Sequence, residues 1–232
     1  MGQPSWNDGM VEMLYTHAGR GSLWAHDGTA ESTVQLRPGR AVLIPPGARY
    51  QYRSALSADL TMFVATTPRF DASRHHTTDA GPWRPDLPAE HDPAPDRAAG
   101  PLLTADLPLL ADYAAPDGSE IRLLPECDAG GLSHCIVRPG GKTKTVQHRT
   151  VVELWVTLDG AGELARWVDG PDASPLHTPL TYGVAVDIET GVPFQFTATG
   201  ADPLRILILT MPRWPGPQEA DPSVNSLDAW PT

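Results

Sequence analysis

Cysteine is almost missing: the 232 residues hold two, Cys127 and Cys135. Their spacing matches neither a zinc knuckle nor a redox pair, so the expectation is two buried, reduced thiols acting as small hydrophobes. Basic residues are scarce as well. Lys and Arg number 17 against 28 Asp and Glu, a formal net charge of −11. That balance repels phosphate backbones and anionic lipid, which removes nucleic acid and membrane surfaces from the expected partners. No apolar run approaches the length of a membrane span, and the opening MGQPSWNDGM has neither a positive start nor an apolar stretch. No secretory signal is therefore expected, and a cytoplasmic location follows. A phosphate-binding loop, a nucleophile elbow and a dinucleotide fingerprint are absent too.

What the chain does have is a repeat. Thr145 to Leu164, TVQHRTVVELWVTLDGAGEL, carries an apolar strand that starts with Glu153 and runs into a turn at Asp159-Gly160. Met10 to Leu23, MVEMLYTHAGRGSL, matches it with Glu12, Gly19, Gly21 and Leu23 at a constant offset of 141 (153 − 12). Past a loop of different length, Gly39 to Tyr52 reads against Gly183 to Phe196 at an offset of 144 (183 − 39). Leu60 to Phe70 and Leu204 to Trp214 hold that second offset and end as TTPRF and TMPRW. The chain therefore contains two homologous modules. Short alternating runs between Gly and Pro turns, with no helix signal, make them all-β.

The expected boundaries are an N-terminal module over 1–70, a Pro-rich linker over 71–100, a C-terminal module over 101–216 and a tail over 217–232. The first module is short of N-terminal strands, because its repeat begins almost at Met1 while some forty residues of strand-like sequence precede its counterpart. An unpaired edge has to be covered, so it is expected to borrow strands from 101–115. Prolines at 82, 85, 88, 93 and 95 predict that the linker, with His75, His76 and His91, stays solvated.

These residues resemble the cupin superfamily, whose motifs are G-x5-H-x-H-x3,4-E-x6-G and G-x5-P-x-G-x2-H-x3-N. The second module matches at Gly140, Val146, His148, Glu153 and Gly160, then at Gly183, Glu189, Gly191 and Phe194; the first matches at Ser5, Asn7, Glu12 and Gly19, then at Gly39, Pro45, Gly47 and Tyr50. The resemblance implies two tandem cupin-type barrels, a bicupin with the double-stranded β-helix or jelly-roll fold. It also implies a metal held by three histidines and a glutamate, and here the sequence departs. Val146 and Phe194 stand where two of those histidines belong, and the first module keeps only Glu12. His148 and Glu153 supply two ligands where a catalytic metal generally needs three. A third would come from His134 or Cys135, one of which alternation points inward.

If the cupin phase holds, Trp155, Thr157, Phe194 and Phe196 line the same interior as Glu153, and Glu12, Tyr50 and Tyr52 line the other. An apolar cavity with one carboxylate and one imidazole suits proton transfer. The first expectation is accordingly a bacterial small-molecule enzyme of isomerase, cyclase or lyase type, with Glu153 and His148 catalytic and no cofactor. One alternative is a metal-dependent enzyme such as a dioxygenase, holding iron, manganese, nickel or zinc. Another is a non-catalytic ligand-binding or sensor bicupin. Either carboxylate could instead be a structural group satisfied by a neighbour, and for Glu12 a tyrosine hydroxyl is the expected donor. A small molecule is the expected partner, and the chain could be a monomer or a homodimer.

Overall fold

The computed structural model describes residues 2–56, 59–84, 96–97, 100–170, 172–223 and 225. The chain divides into two compact units, Met1–Leu107 and Pro108–Thr232. Both are built of antiparallel strands. The first holds β1 (Ser5–Asn7), β2 (Val11–Ala18), β3 (Gly21–His26), β4 (Glu31–Leu36), β5 (Arg40–Ile44), β6 (Arg49–Ser54), β7 (Thr61–Thr67), β8 (His75–Thr77) and β9 (Leu103–Asp106). The second opens with three strands of its own, β10 (Tyr113–Ala114), β11 (Glu120–Cys127) and β12 (Gly130–Val137). The repeated set follows: β13 (Val146–His148), β14 (Val152–Asp159), β15 (Gly162–Arg166), β16 (Leu176–Leu180), β17 (Ala185–Ile188), β18 (Phe194–Ala198), β19 (Leu204–Met211) and β20 (Ala220–Pro222).

The repeat seen in the sequence is a repeat of topology. One sheet of the first unit runs β4-β3-β6-β1-β8, and one sheet of the second runs β16-β15-β18-β13-β20, in the same order strand for strand. Register agrees as well: Ser5 pairs with Tyr50, and Val146 pairs with Phe194. The glycines that open the two central hairpins are forced by the same geometry. Gly19 and Gly160 have φ of 81° and 74°, and a β-carbon would stand 1.6 Å from the Asp59 carbonyl oxygen at the first and 2.4 Å from that of Pro203 at the second. Thr67–Pro68 and Met211–Pro212, which close the two repeats, are both cis.

In each unit the two sheets share one core. Leu14 and Val42 of the first unit pack with Leu23, Val34 and Tyr50 of the opposite sheet. In the second unit Trp155, Ile188 and Ile206 pack with Leu164, Phe194 and Phe196. No helix among the described residues is long and apolar enough to cross a membrane.

The second sheets differ. In the C-terminal unit the order is β10-β11-β12-β19-β14-β17, and in the N-terminal unit it is β7-β2-β5-β9. Leu103–Asp106 pairs with β5, Ala41 opposite Ala105. That strand joins at the β5 edge, whereas the place that β12 holds beside β19 lies at the other edge, beside β7. Among the described residues no strand stands beside β7, and Leu103–Asp106 covers the opposite edge of that sheet. The consequence shows in burial: Leu207, Ile208 and Leu209 of β19 are buried, while Val64 of β7 is 53% exposed.

Two segments expected to be irregular are strands. Residues 75–77 pair with β1, and Ala220–Pro222 pairs with β13 at the equivalent edge. Short polar edge strands carry little alternation, which hides them from a pattern reading. His75 and His76 are accordingly not in a solvated linker. The ring of His76 stacks on Trp6 at 4.9 Å, and His75 Nδ1 lies 2.8 Å from Asn7 Oδ1. The linker residues 85–95, with His91, lie outside the described residues.

Candidate functional site

The C-terminal barrel holds a cavity of about 60 Å³, small beside the ~300–1,000 Å³ of drug-sized sites. Glu153 and Trp155 reach it from β14, His148 from β13, Phe194 and Phe196 from β18, and Cys135 from β12. Strand pairing places Glu153 opposite Thr210 on β19. Thr210 Oγ1 donates to Glu153 Oε1 at 3.0 Å, and Trp155 Nε1 donates to Oε2 at 2.8 Å. The carboxylate is 7% exposed. Burial pushes its pKa up to about 7 against the opposing pull of those two hydrogen bonds.

His148 meets the edges of Phe194 at 5.1 Å and Trp214 at 5.5 Å. Burial among these rings pulls its pKa down to about 4, so it is neutral at pH 7. Among the described residues its Nδ1 has no hydrogen-bond partner. No hydrogen bond joins His148 to Glu153, so the two line the cavity without forming a pair.

Three further residues join the wall. Asp117 sits in the tight turn between β10 and β11 and is 7% exposed; its Oδ1 accepts from the amide and the hydroxyl of Ser119, each at 2.8 Å. Burial pushes its carboxyl up. Tyr113, also raised by burial to about 12, and Trp214 line the cavity as well.

A scan against protein-family models finds no match, and neither does a search of curated proteins. Solved structures do match. A vicilin from Capsicum annuum superposes with a TM-score of 0.64 at 14% identity, over 94% of this chain and 73% of that one. Oxalate decarboxylase from Lactobacillus farciminis, in its formate complex, gives a TM-score of 0.70 at 12% identity, over 91% of this chain and 72% of that one. A Bacillus subtilis oxalate decarboxylase variant gives 0.69 at 12% identity, over 91% and 65%. The chain has the fold of a bicupin. At these identities the likeness is one of fold, and neighbours as different as a vicilin and a decarboxylase leave activity to be argued from the site.

The donor set of the C-terminal barrel does not fit a metal. Bacillus subtilis oxalate decarboxylase has Mn(II) centres, but among the described residues no three His, Cys, Asp or Glu side chains converge here. Phe194, at a position where the motif has a histidine ligand, brings a ring with no donor atom against His148, and Trp155 Nε1 already donates to Glu153 Oε2. Of the two candidate third ligands, Cys135 lines the cavity and His134 does not. His134 pairs with Arg122 and Leu207 across its neighbouring strands, facing away from the cavity. Thr157 is fully buried but lies outside the cavity, whose β14 wall ends at Trp155. The edge of Trp155 packed on Phe196 at 4.8 Å fills the barrel there.

The N-terminal barrel is arranged otherwise. Glu12 Oε2 accepts from Tyr50 Oη at 2.7 Å and from Asn7 Nδ2 at 2.8 Å. Tyr50 belongs to the apolar core, with Tyr52 packed against it. Glu12, Tyr50 and Asn7 form a buried, hydrogen-bonded group. Burial and the adjacent Glu12 push the Tyr50 hydroxyl well above the usual tyrosine range, so it donates.

Asp117, Tyr113 and Trp214 escape a sequence reading. Asp117 stands in a Pro-Asp-Gly-Ser stretch that reads as an ordinary turn. Trp214 was visible only as the end of the repeated Pro-Arg-aromatic segment. Glu219 lay in the expected tail, yet it is buried and braces the site from behind. Burial opposes its ionisation, but the amides of Thr150 and Val151 and the Thr150 hydroxyl donate to it and hold its carboxyl below the usual range.

Proposed function

We propose that the C-terminal barrel binds a small molecule and moves a proton on it, in a non-oxidative reaction of isomerase, cyclase or lyase type with Glu153 as the general acid or base. The observation that carries this reading is the environment of Glu153: a buried carboxylate at the wall of a cavity, held in place by Trp155 and Thr210. Its pKa of about 7 lies where a group is both available and driven to exchange protons near neutral pH. Neutral His148, with an unpartnered nitrogen at the same cavity, positions the ligand and receives or supplies a hydrogen bond. The aromatic walls exclude water from the exchange.

The test is an NMR screen of small metabolites against the purified chain that follows both binding and conversion. A bound compound is expected to be converted by the parent and to lose roughly 10²–10⁴ in rate in Glu153→Gln, with binding retained. Equal conversion by Glu153→Gln would remove Glu153 from the reaction.

A further inference from the structure

We infer that the ligand of this cavity is a small organic cation of the alkylammonium class, held by two carboxylates and aromatic rings. This names the ligand of the site read above as a proton-transfer site, and so rests on that reading. Among the described residues the acidic groups of the cavity wall are Glu153, Asp117 and Glu126, and no Lys or Arg lines it. Glu126 is answered by Arg213, 3.4 Å away. Glu153 and Asp117 are both buried, and the donors on them are an indole N–H, a backbone amide and two hydroxyls, all neutral. Two buried carboxylates with no cation beside them are costly unless they take up protons or meet a positive charge.

The walls suit such a charge. Tyr113, Trp155, Phe194, Phe196 and Trp214 surround the cavity, and a cation within about 6 Å of an aromatic face is attracted by its quadrupole. His148, 4% exposed, brings an imidazole whose Nδ1 is unpartnered; as the neutral ring it accepts a hydrogen bond from an ammonium N–H. A bare metal ion lacks these advantages, because the oxygen and nitrogen donors do not converge. A dicarboxylate such as oxalate would meet two like charges and no guanidinium or lysine. The cavity's small volume limits the ligand to a few non-hydrogen atoms around the charge.

Calorimetry or ligand-observed NMR on the full chain at pH 7.5 decides this with three probes: trimethylammonium, its neutral near-isostere 2-methylpropan-2-ol, and oxalate. Trimethylammonium is expected to bind roughly tenfold or more tighter than the alcohol, with oxalate not binding. Glu153→Gln, Asp117→Asn and Phe194→Leu are each expected to weaken the cation several-fold and leave the alcohol unchanged. The parent's own discrimination among the probes needs no variant, so a variant that fails to fold does not rescue the inference. Absent binding of trimethylammonium, binding no tighter than the alcohol, or a preference for oxalate each overturns it. None of these probes has a reaction to undergo. The proton-transfer reading therefore stands or falls separately, on conversion by Glu153→Gln.

Discussion

The two barrels place a glutamate at the same strand position and treat it in opposite ways. Glu12 is tied by Tyr50 and Asn7 at the side of an apolar core. Glu153 has Phe194 where the first barrel has Tyr50 and His148 where it has Asn7, so neither donor reaches it. Its hydrogen bonds come instead from Trp155, which replaces Leu14, and from Thr210, and a cavity opens beside it. A ring without a hydroxyl leaves a carboxylate dry, and a dry carboxylate beside a void has its pKa raised and is exposed to a ligand. The fold supplies the position and a threonine opposite it in both barrels, Thr66 and Thr210; three exchanged neighbours, Phe194 for Tyr50, His148 for Asn7 and Trp155 for Leu14, set the surroundings of the carboxyl.

The comparison breaks first on turnover. Glu153→Gln is expected to lower the rate on a converted ligand by roughly 10²–10⁴, while Glu12→Gln leaves it unchanged; equal losses would mean that the barrels do not divide the roles. It sharpens next on pH. The folded pKa of Glu153, about 7, lies above its ordinary 4.5, so the folded state keeps a proton that the unfolded chain has released. Stability from this group is present below about pH 4.5 and lost as pH rises through 7, by about 3 kcal/mol in all. Denaturant melts of the parent and Glu153→Gln should therefore diverge in that window, with the variant gaining. Asp117, Glu126, His148, Tyr113, Cys135 and Glu219 are common to both proteins, so the difference isolates Glu153.

The N-terminal counterpart is a stability effect without a functional one. Tyr50→Phe removes a hydrogen bond to a buried carboxyl and should cost about 1–3 kcal/mol, read as a lower melting midpoint, with ligand binding by the C-terminal barrel intact. The smallest contrast is between the hairpins. Gly19→Ala and Gly160→Ala both strain a left-handed turn, but the Asp59 carbonyl stands closer than that of Pro203. Gly19→Ala should be the costlier by on the order of 1 kcal/mol.

Much of the fold was legible because strand sequence repeats at constant offsets. Gly19 and Gly160, Glu12 and Glu153, and the TTPRF and TMPRW endings specify two all-β modules, and a tyrosine at the motif position points to the Glu12–Tyr50 bond. Other features were hidden for physical reasons. The strands at 75–77 and Ala220–Pro222 are short polar edges without alternation, and the edge that β9 joins depends on backbone pairing, which side-chain pattern does not encode. The site was half legible. Glu153, His148, Trp155, Phe194 and Phe196 share the cavity, as strand phase implied. Asp117 comes from a turn, and Trp214 from beyond the last repeated strand, where no periodicity points a side chain anywhere. Thr157 has the right phase but the wrong depth, since a barrel interior is filled at one level and open at another.

The most direct measurement is a carbon-detected NMR titration of glutamate side-chain carboxyls in the parent and in Glu153→Gln. The account predicts one carboxyl that titrates near pH 7 in the parent and is missing from the variant. A Glu153 carboxyl that titrates with the exposed glutamates, near the ordinary 4.5, would contradict it.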